Sequence, residues 1–170
     1  MTRSTTITTA QPVAVRRVNP WMASLYGGLV TAVIAVIFSL LLPTNQPILY
    51  SLALLLLGIG PVLGYQVAAG KLGSEWGTII GGILGSIIPI VSQLLLWPLF
   101  VWLFNRRLPL GRMYLGSLIG IILAFVVFFG IGFLMGQDPY AWTGLAWALA
   151  ASAWGGSAAA GMTGGEADLR

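Results

Sequence analysis

Long uncharged, strongly apolar runs alternate with short polar breaks along this chain, and the run lengths predict helices that cross a membrane. A polar, Thr-rich arm, MTRSTTITTAQPVAVRRVNP, fills residues 1–20. The first apolar run, about 21–42, stops at Pro43. The break PTNQP is so short that a second span, about 47–69, must return antiparallel to the first. Within it lies GIGP, where Pro61 removes a backbone donor. A polar hinge, GKLGSE, precedes a third span over about 76–103, and NRRLPLGR precedes a fourth over about 114–135. The last run, about 140–161, is rich in Ala and Gly. It reads either as a fifth span or as a helix lying on the surface, which would leave four. A short polar tail occupies 162–170. The expected fold is therefore all-α: a polytopic transmembrane helical bundle of about five spans.

The third run is too long for one straight crossing. From Trp76 to Trp102 a helix would extend about 40 Å, against a hydrocarbon core of about 30 Å. Tilt, or kinks at Pro89 and Pro98, would absorb the excess. The arm and the first run are not expected to form a secretory leader, because that run is too long and lacks a small-x-small cleavage site. A juxtamembrane anchor is the expected role.

Composition strengthens the membrane reading. Hydrophobic residues make up 58% of the 170 and charged ones 7%, where a soluble domain carries about a quarter charged residues. Mean hydropathy is +0.93. Cysteine and histidine are both absent, which removes disulfides, thiolate chemistry and imidazole ligands for zinc or haem. The net charge of +4 does not point to nucleic acid, because the cations flank apolar runs instead of clustering on a polar domain. Arg16, Arg17, Arg106, Arg107 and Arg112 are expected to anchor on lipid headgroups, each worth on the order of 1 kcal/mol near an anionic surface. Trp21, Trp76, Trp102 and Trp142 fall at span ends, as an aromatic belt requires.

Glycines recur at four-residue spacing: Gly77, Gly81 and Gly85 in the third run, with Gly60/Gly64, Gly116/Gly120 and Gly132/Gly136 elsewhere. The last run offers Ala151/Gly155 and Gly156/Ala160. In lipid, helices associate where small side chains let backbones approach. These stripes predict close helix packing, with a neighbouring helix, a flat cofactor or a lipid tail as the occupant of each groove.

Charge does not fix the orientation. With five spans, Arg3, Arg16, Arg17 and Lys71 share one side and Arg106, Arg107, Arg112 and Arg170 the other, a tie of four against four. An inverted two-helix repeat would explain it. Arg16-Arg17 opens the first hairpin and Arg106-Arg107 the last. GYQVAAGKLGSE (64–75) also matches GGSAAAGMTGGE (155–166) at Gly64/Gly155, Ala68/Ala159, Ala69/Ala160, Gly70/Gly161, Gly73/Gly164 and Glu75/Glu166.

The acids Glu75, Asp138, Glu166 and Asp168 all sit at span edges or in the tail. Without titrating groups at depth, neither a proton relay nor acid–base catalysis has the residues it needs. No enzyme activity, no catalytic residue and no metal site is expected. Cofactors bound through its own side chains are not expected either. Gln66 and Gln93 are the deep amides of interest. Each is read as an interhelical hydrogen bond or, functionally, as a polar contact to a quinone, pigment or lipid headgroup. The Lys71/Glu75 pair at i, i+4 is a capping detail.

The expectation is a non-catalytic accessory subunit of a larger membrane complex, energy-transducing and electron-transferring (respiratory or photosynthetic), multi-pass in a bacterial inner membrane. Its partners would be other integral membrane subunits and lipids. The alternative is a small solute transporter or channel built on the inverted repeat, with a route past GIGP, Gln66 and Gln93.

Overall fold

The computed structural model describes residues 17–41, 55–88, 90–135 and 143–166, and every regular element among them is helical. Arg16 and the arm before it, Gly136, Asp138, Trp142 and the end of the tail lie outside the described residues. Helix α1 runs Pro20–Leu41. Proline suits a first helical position because its missing N–H would be unpaired there anyway. Just before it, the Asn19 carboxamide oxygen caps the Trp21 N–H at 2.9 Å. Helix α2, Ile59–Ala68, continues a helical turn that starts at Leu55 and is broken at Gly58. It ends in a Schellman motif. Gly70 takes φ +64°, the Lys71 N–H reaches the Gln66 carbonyl at 2.8 Å and the Gly70 N–H reaches Val67 at 3.0 Å.

The third run departs most from expectation. Instead of one span over 76–103, α3 (Trp76–Leu84) stops and the chain has reversed direction by Val91. It then returns as a π-helical segment, Ser92–Leu96, followed by α4, Trp97–Phe104. The two limbs lie side by side. A Cβ on Gly77 would meet the Phe104 ring at 3.3 Å, one on Gly81 the Phe100 carbonyl at 2.8 Å, and one on Gly85 the Trp97 backbone at 2.5 Å. The Gly77/Gly81/Gly85 stripe is thus filled by the chain's own return limb. Neither tilt nor kink absorbs the excess length; a reversal does. It needs a helix that stops at Gly85-Ser86 and a non-helical passage ahead of the return limb. Ile90 supplies the turn with φ +63°, a region bulky β-branched residues seldom enter.

Helix α5 follows at Leu110–Met135, one turn earlier than the expected 114, and α6 spans Thr143–Gly161. Two helices, α1 and α5, are long and apolar enough to cross a membrane, with mean hydropathies of 2.2 and 2.9. The expected five are not found among the described residues. α2 has 10 residues, the third run is folded back, and α6 is built largely of Ala and Gly.

Far from lying on the surface, α6 is the central helix, packed between α1 and α5 and touching α2. Ala146, Ala158 and Ala159 are fully buried. Its glycines admit neighbouring backbones. Gly155 faces Thr31, Gly27 packs on Ala159, and a Cβ on Gly116 would reach the Ser157 carbonyl at 2.7 Å. On α2, Gly64 presses on the Gly27 backbone and Gly60 on Thr31, while Gly120 of α5 packs on Trp154. Gly132 is half-buried in α5. Small residues thus line the contacts of α6 with α1 and α5, and many large apolar side chains face outward, Phe133 90%, Leu134 82% and Trp21 82% exposed.

The reversal also sorts the charges. Trp76 enters and Phe104 leaves at the same end, held by the Asn105 amide donating to the Glu75 carboxylate at 2.9 Å. Because α2 lies antiparallel to α1, that end is also where α1 begins. α5 starts there and α6 finishes there, Gly161 packing on Arg112. Every described ionisable acid or base, namely Arg17, Lys71, Glu75, Arg106, Arg107, Arg112 and Glu166, collects at this one end. Among the described residues, the expected separation of Lys71 from Arg106, Arg107 and Arg112 is not found. Nor is the inversion: segments 64–75 and 155–166 finish at the same end, with Gly73 (φ +74°) and Gly164 (φ +84°) at matching positions. Any repeat between them is parallel.

Candidate functional site: an aromatic groove above the hairpin tip

A chain that reverses among apolar helices must satisfy backbone groups that no helix ladder serves. Side chains of the return limb do part of this. The Ser92 hydroxyl bonds both the N–H and the carbonyl of Ile88. The Gln93 carboxamide oxygen accepts the Ile90 N–H at 3.1 Å. α5 supplies donors to two carbonyls of the π-helical segment. Ser117 donates to the Gln93 carbonyl, and the Tyr114 hydroxyl to that of Leu95 at 2.9 Å. Ser117 in turn accepts the Trp154 indole N–H at 3.1 Å. Trp97 donates to the Gly58 carbonyl at 2.9 Å, where the helical turn from Leu55 breaks before α2. The two indoles meet edge to face with centroids 5.7 Å apart, a favoured aromatic geometry.

Beyond the tip, where the hairpin stops short, α5 and α6 enclose a groove of about 220 Å³. Phe125, Phe128 and Phe129 line it from α5, and Trp147 and Trp154 from α6; Gln93 and Ile90 form its base. Phe128 stands perpendicular to Trp147 at 6.3 Å, and Phe125 stacks on Phe129 at 6.0 Å. Five rings and one carboxamide make a surface suited to a flat or chain-like apolar molecule, with one polar handle. Gln93 is 8% exposed.

Gln66 lies elsewhere, near the charged end, and is fully buried. Its NH2 donates to the Glu75 carbonyl at 3.1 Å and the Thr78 hydroxyl at 3.0 Å, while its oxygen accepts the Gly73 N–H at 3.1 Å. It staples the hinge between α2 and α3 and lines neither the aromatic groove nor the polar cup at the charged end. The two deep glutamines are therefore not brought together. A separate polar cup at the charged end is lined by Lys71, Glu75, Asn105, Arg107 and Glu166, with Lys71 and Glu75 3.7 Å apart. Among the described residues no group of three His, Cys, Asp or Glu side chains is placed to hold a metal.

The aromatic groove escaped a reading that looked for polar atoms at depth. Its signal was present in spacing, however. Phe125, Phe128 and Phe129 share one face of a helix at i, i+3, i+4, and Trp147 and Trp154 share another at i, i+7. Of the expected headgroup anchors, the described Arg17, Arg106, Arg107 and Arg112 are all exposed at the charged end, and Arg106 lies 5.5 Å over the Trp102 ring. No protein-family model, curated protein or solved structure matches this chain.

Proposed function

We propose that this chain is a multi-pass integral membrane protein that serves as a non-catalytic subunit of a larger assembly and holds an apolar ring- or chain-shaped molecule in its aromatic groove. Sorting by size supports the membrane part. Glycine and alanine line the contacts of α6 with α1 and α5, while many large apolar side chains, Phe133, Leu134 and Trp21 among them, face outward, a surface that water would not select. Collection of the described cations at one end supports an orientation with that end in the cytoplasm. α2 and the folded-back limbs then form partial crossings, and 76–104 is a re-entrant hairpin.

One observation carries the subunit reading over the transporter. Between the polar cup and the aromatic groove the interior is filled by Trp97, Val101, Met113, Trp154 and Met162, each 4% exposed or less. A solute route would have to displace two indoles that hold each other and two backbone carbonyl networks. The groove's five rings and single carboxamide fit a quinone or pigment, which supports placing the assembly among electron-transfer complexes of a bacterial inner membrane. The re-entrant hairpin itself favours the second reading, a small channel or carrier, since such hairpins place irregular backbone at membrane depth where solutes pass.

Mild-detergent extraction from the native membrane, followed by native electrophoresis and mass spectrometry, separates the two. The subunit reading expects the chain in a band with other polypeptides, carrying an extractable quinone, pigment or lipid that a Phe128→Ala/Trp147→Ala variant loses. A chain that migrates alone or as a homodimer, and whose reconstituted vesicles pass solute, overturns it.

A further inference from the structure

A second concavity lies on the opposite flank of α6, toward the charged end. This trough of about 770 Å³ runs between α1 and α5 over the exposed strip of α6. Leu25 and Leu29 wall it on one side and Ile119 and Leu123 on the other. Its floor is low because two backbones meet there. A Cβ on Gly156 would stand 2.9 Å from the Ser24 carbonyl, and one on Gly28 3.1 Å from that of Ser152. An apolar trough alone names no occupant. Its mouth does. Arg112 lies on the same face of α5 as Ile119 and Leu123, two and three turns before them. Arg17 sits just ahead of Pro20, which lines the trough on α1. Both residues are exposed, the Arg112 guanidinium resting beside Gly164 just past the end of α6, and among the described residues neither joins an ion pair, the pair that forms being Lys71–Glu75.

We infer that this trough seats one anionic phospholipid, its phosphate between Arg17 and Arg112 and an acyl chain along the Gly28–Gly156 floor. The inference rests on the membrane reading above. Its chemistry is complementary at both ends. Guanidinium forks match phosphate oxygens bidentately, and each cation near an anionic headgroup adds to retention. The apolar walls take the chain, while the absence of side chains on the floor gives it depth. A transmembrane helix from another subunit would fill the same trough, yet would leave Arg17 and Arg112 at the mouth without a counter-charge unless it carried its own acid.

The purified full-length chain in neutral detergent is titrated with phosphatidylglycerol and phosphatidylcholine of identical acyl chains, and bound lipid is counted by native mass spectrometry. One phosphatidylglycerol should be retained about tenfold or more in preference to phosphatidylcholine. Inorganic phosphate should not displace it. Arg17→Gln/Arg112→Gln should abolish the preference, Arg112→Lys should keep most of it, and Ala153→Phe, which fills the trough, should weaken both lipids with far-UV circular dichroism unchanged. Equal retention of the two lipids overturns the seat. So does a preference that survives the double substitution, displacement by inorganic phosphate, or release of a polypeptide instead of lipid by Ala153→Phe. A detergent-dependent chain with no preference overturns the seat alone; a chain folded and monodisperse in plain buffer overturns the membrane reading with it.

Discussion

Gly64→Ala tests the packing logic at its tightest point. A methyl on Gly64 would overlap the backbone nitrogen and Cα of Gly27, where α2 crosses α1. Ordinary carbon contacts lie at about 3.5–4.0 Å, so the two helices would have to part by on the order of 1 Å. Overpacking that a side chain can relieve costs about 1–3 kcal/mol. The atoms struck here are backbone on a helix also fixed by α6, so the upper part of that range applies. Alanine returns up to about 1 kcal/mol of helix propensity. The net loss should be about 2 kcal/mol, a factor of up to about 30 in the folded-to-unfolded ratio. Gly130→Ala is the control, because a Cβ there meets nothing within 4 Å; it should be neutral or stabilise by up to about 1 kcal/mol. Unfolding in mixed micelles of rising dodecyl sulfate fraction, followed by tryptophan fluorescence and far-UV circular dichroism, reads both. Equal destabilisation by the two substitutions would refute the reasoning, as would a Gly64→Ala protein as stable as the parent.

Ser117→Ala should strand the Gln93 carbonyl and the Trp154 indole N–H together, costing about 1–3 kcal/mol in the same unfolding assay; a cost near zero would mean the network is not formed. Ser86→Ala should go the other way. The Ser86 hydroxyl is buried without a hydrogen-bond partner, so its removal is expected to be neutral or to stabilise by about 1 kcal/mol. Topology is testable because the chain has no cysteine of its own. Single cysteines replacing Ser74, Arg106 and Glu166 should all react with an impermeant maleimide from one face of sealed vesicles, and labelling of Arg106→Cys from the other face would exclude the re-entrant hairpin.

Much of the architecture was legible from runs of apolar residues. α1 and α5 appear within a few residues of their expected bounds, because each is a long apolar stretch ended by a proline or a polar break. The reversal was not legible by hydropathy, since both limbs and the turn are uncharged and read as one stretch. Three hints did point to it: the excess length from Trp76 to Trp102, Pro89, and the charge tie that five crossings produced. α6 was expected as a helix, but its central place was hidden for a different reason. Ranking spans by hydropathy favours helices that face lipid, whereas a helix enclosed by others needs small residues and scores low. Gln93 was singled out from its burial cost and does lie at the groove. The aromatic rings that define the groove were read as ordinary apolar mass.

A single reversal links features that looked unrelated in the sequence. An uninterrupted third span would put Arg106, Arg107 and Arg112 opposite Lys71; folding it back puts them on the same end, turns an apparent inverted repeat into a parallel one, and gathers Trp21, Trp76 and Trp102 at one level. The same reversal accounts for the deep polar residues. Ser92 serves Ile88, Gln93 serves Ile90, and Ser117 and Tyr114 donate to the Gln93 and Leu95 carbonyls of the π-helical segment. Their first task is to let irregular backbone exist among apolar helices, where an unmet backbone group costs several kcal/mol. Polar atoms at depth are therefore weak pointers to a ligand in this chain, because the fold consumes them. At the aromatic groove Gln93 combines a backbone partner with a place at the cavity edge, so chemistry directed at a guest there rests on that carboxamide and the rings around it.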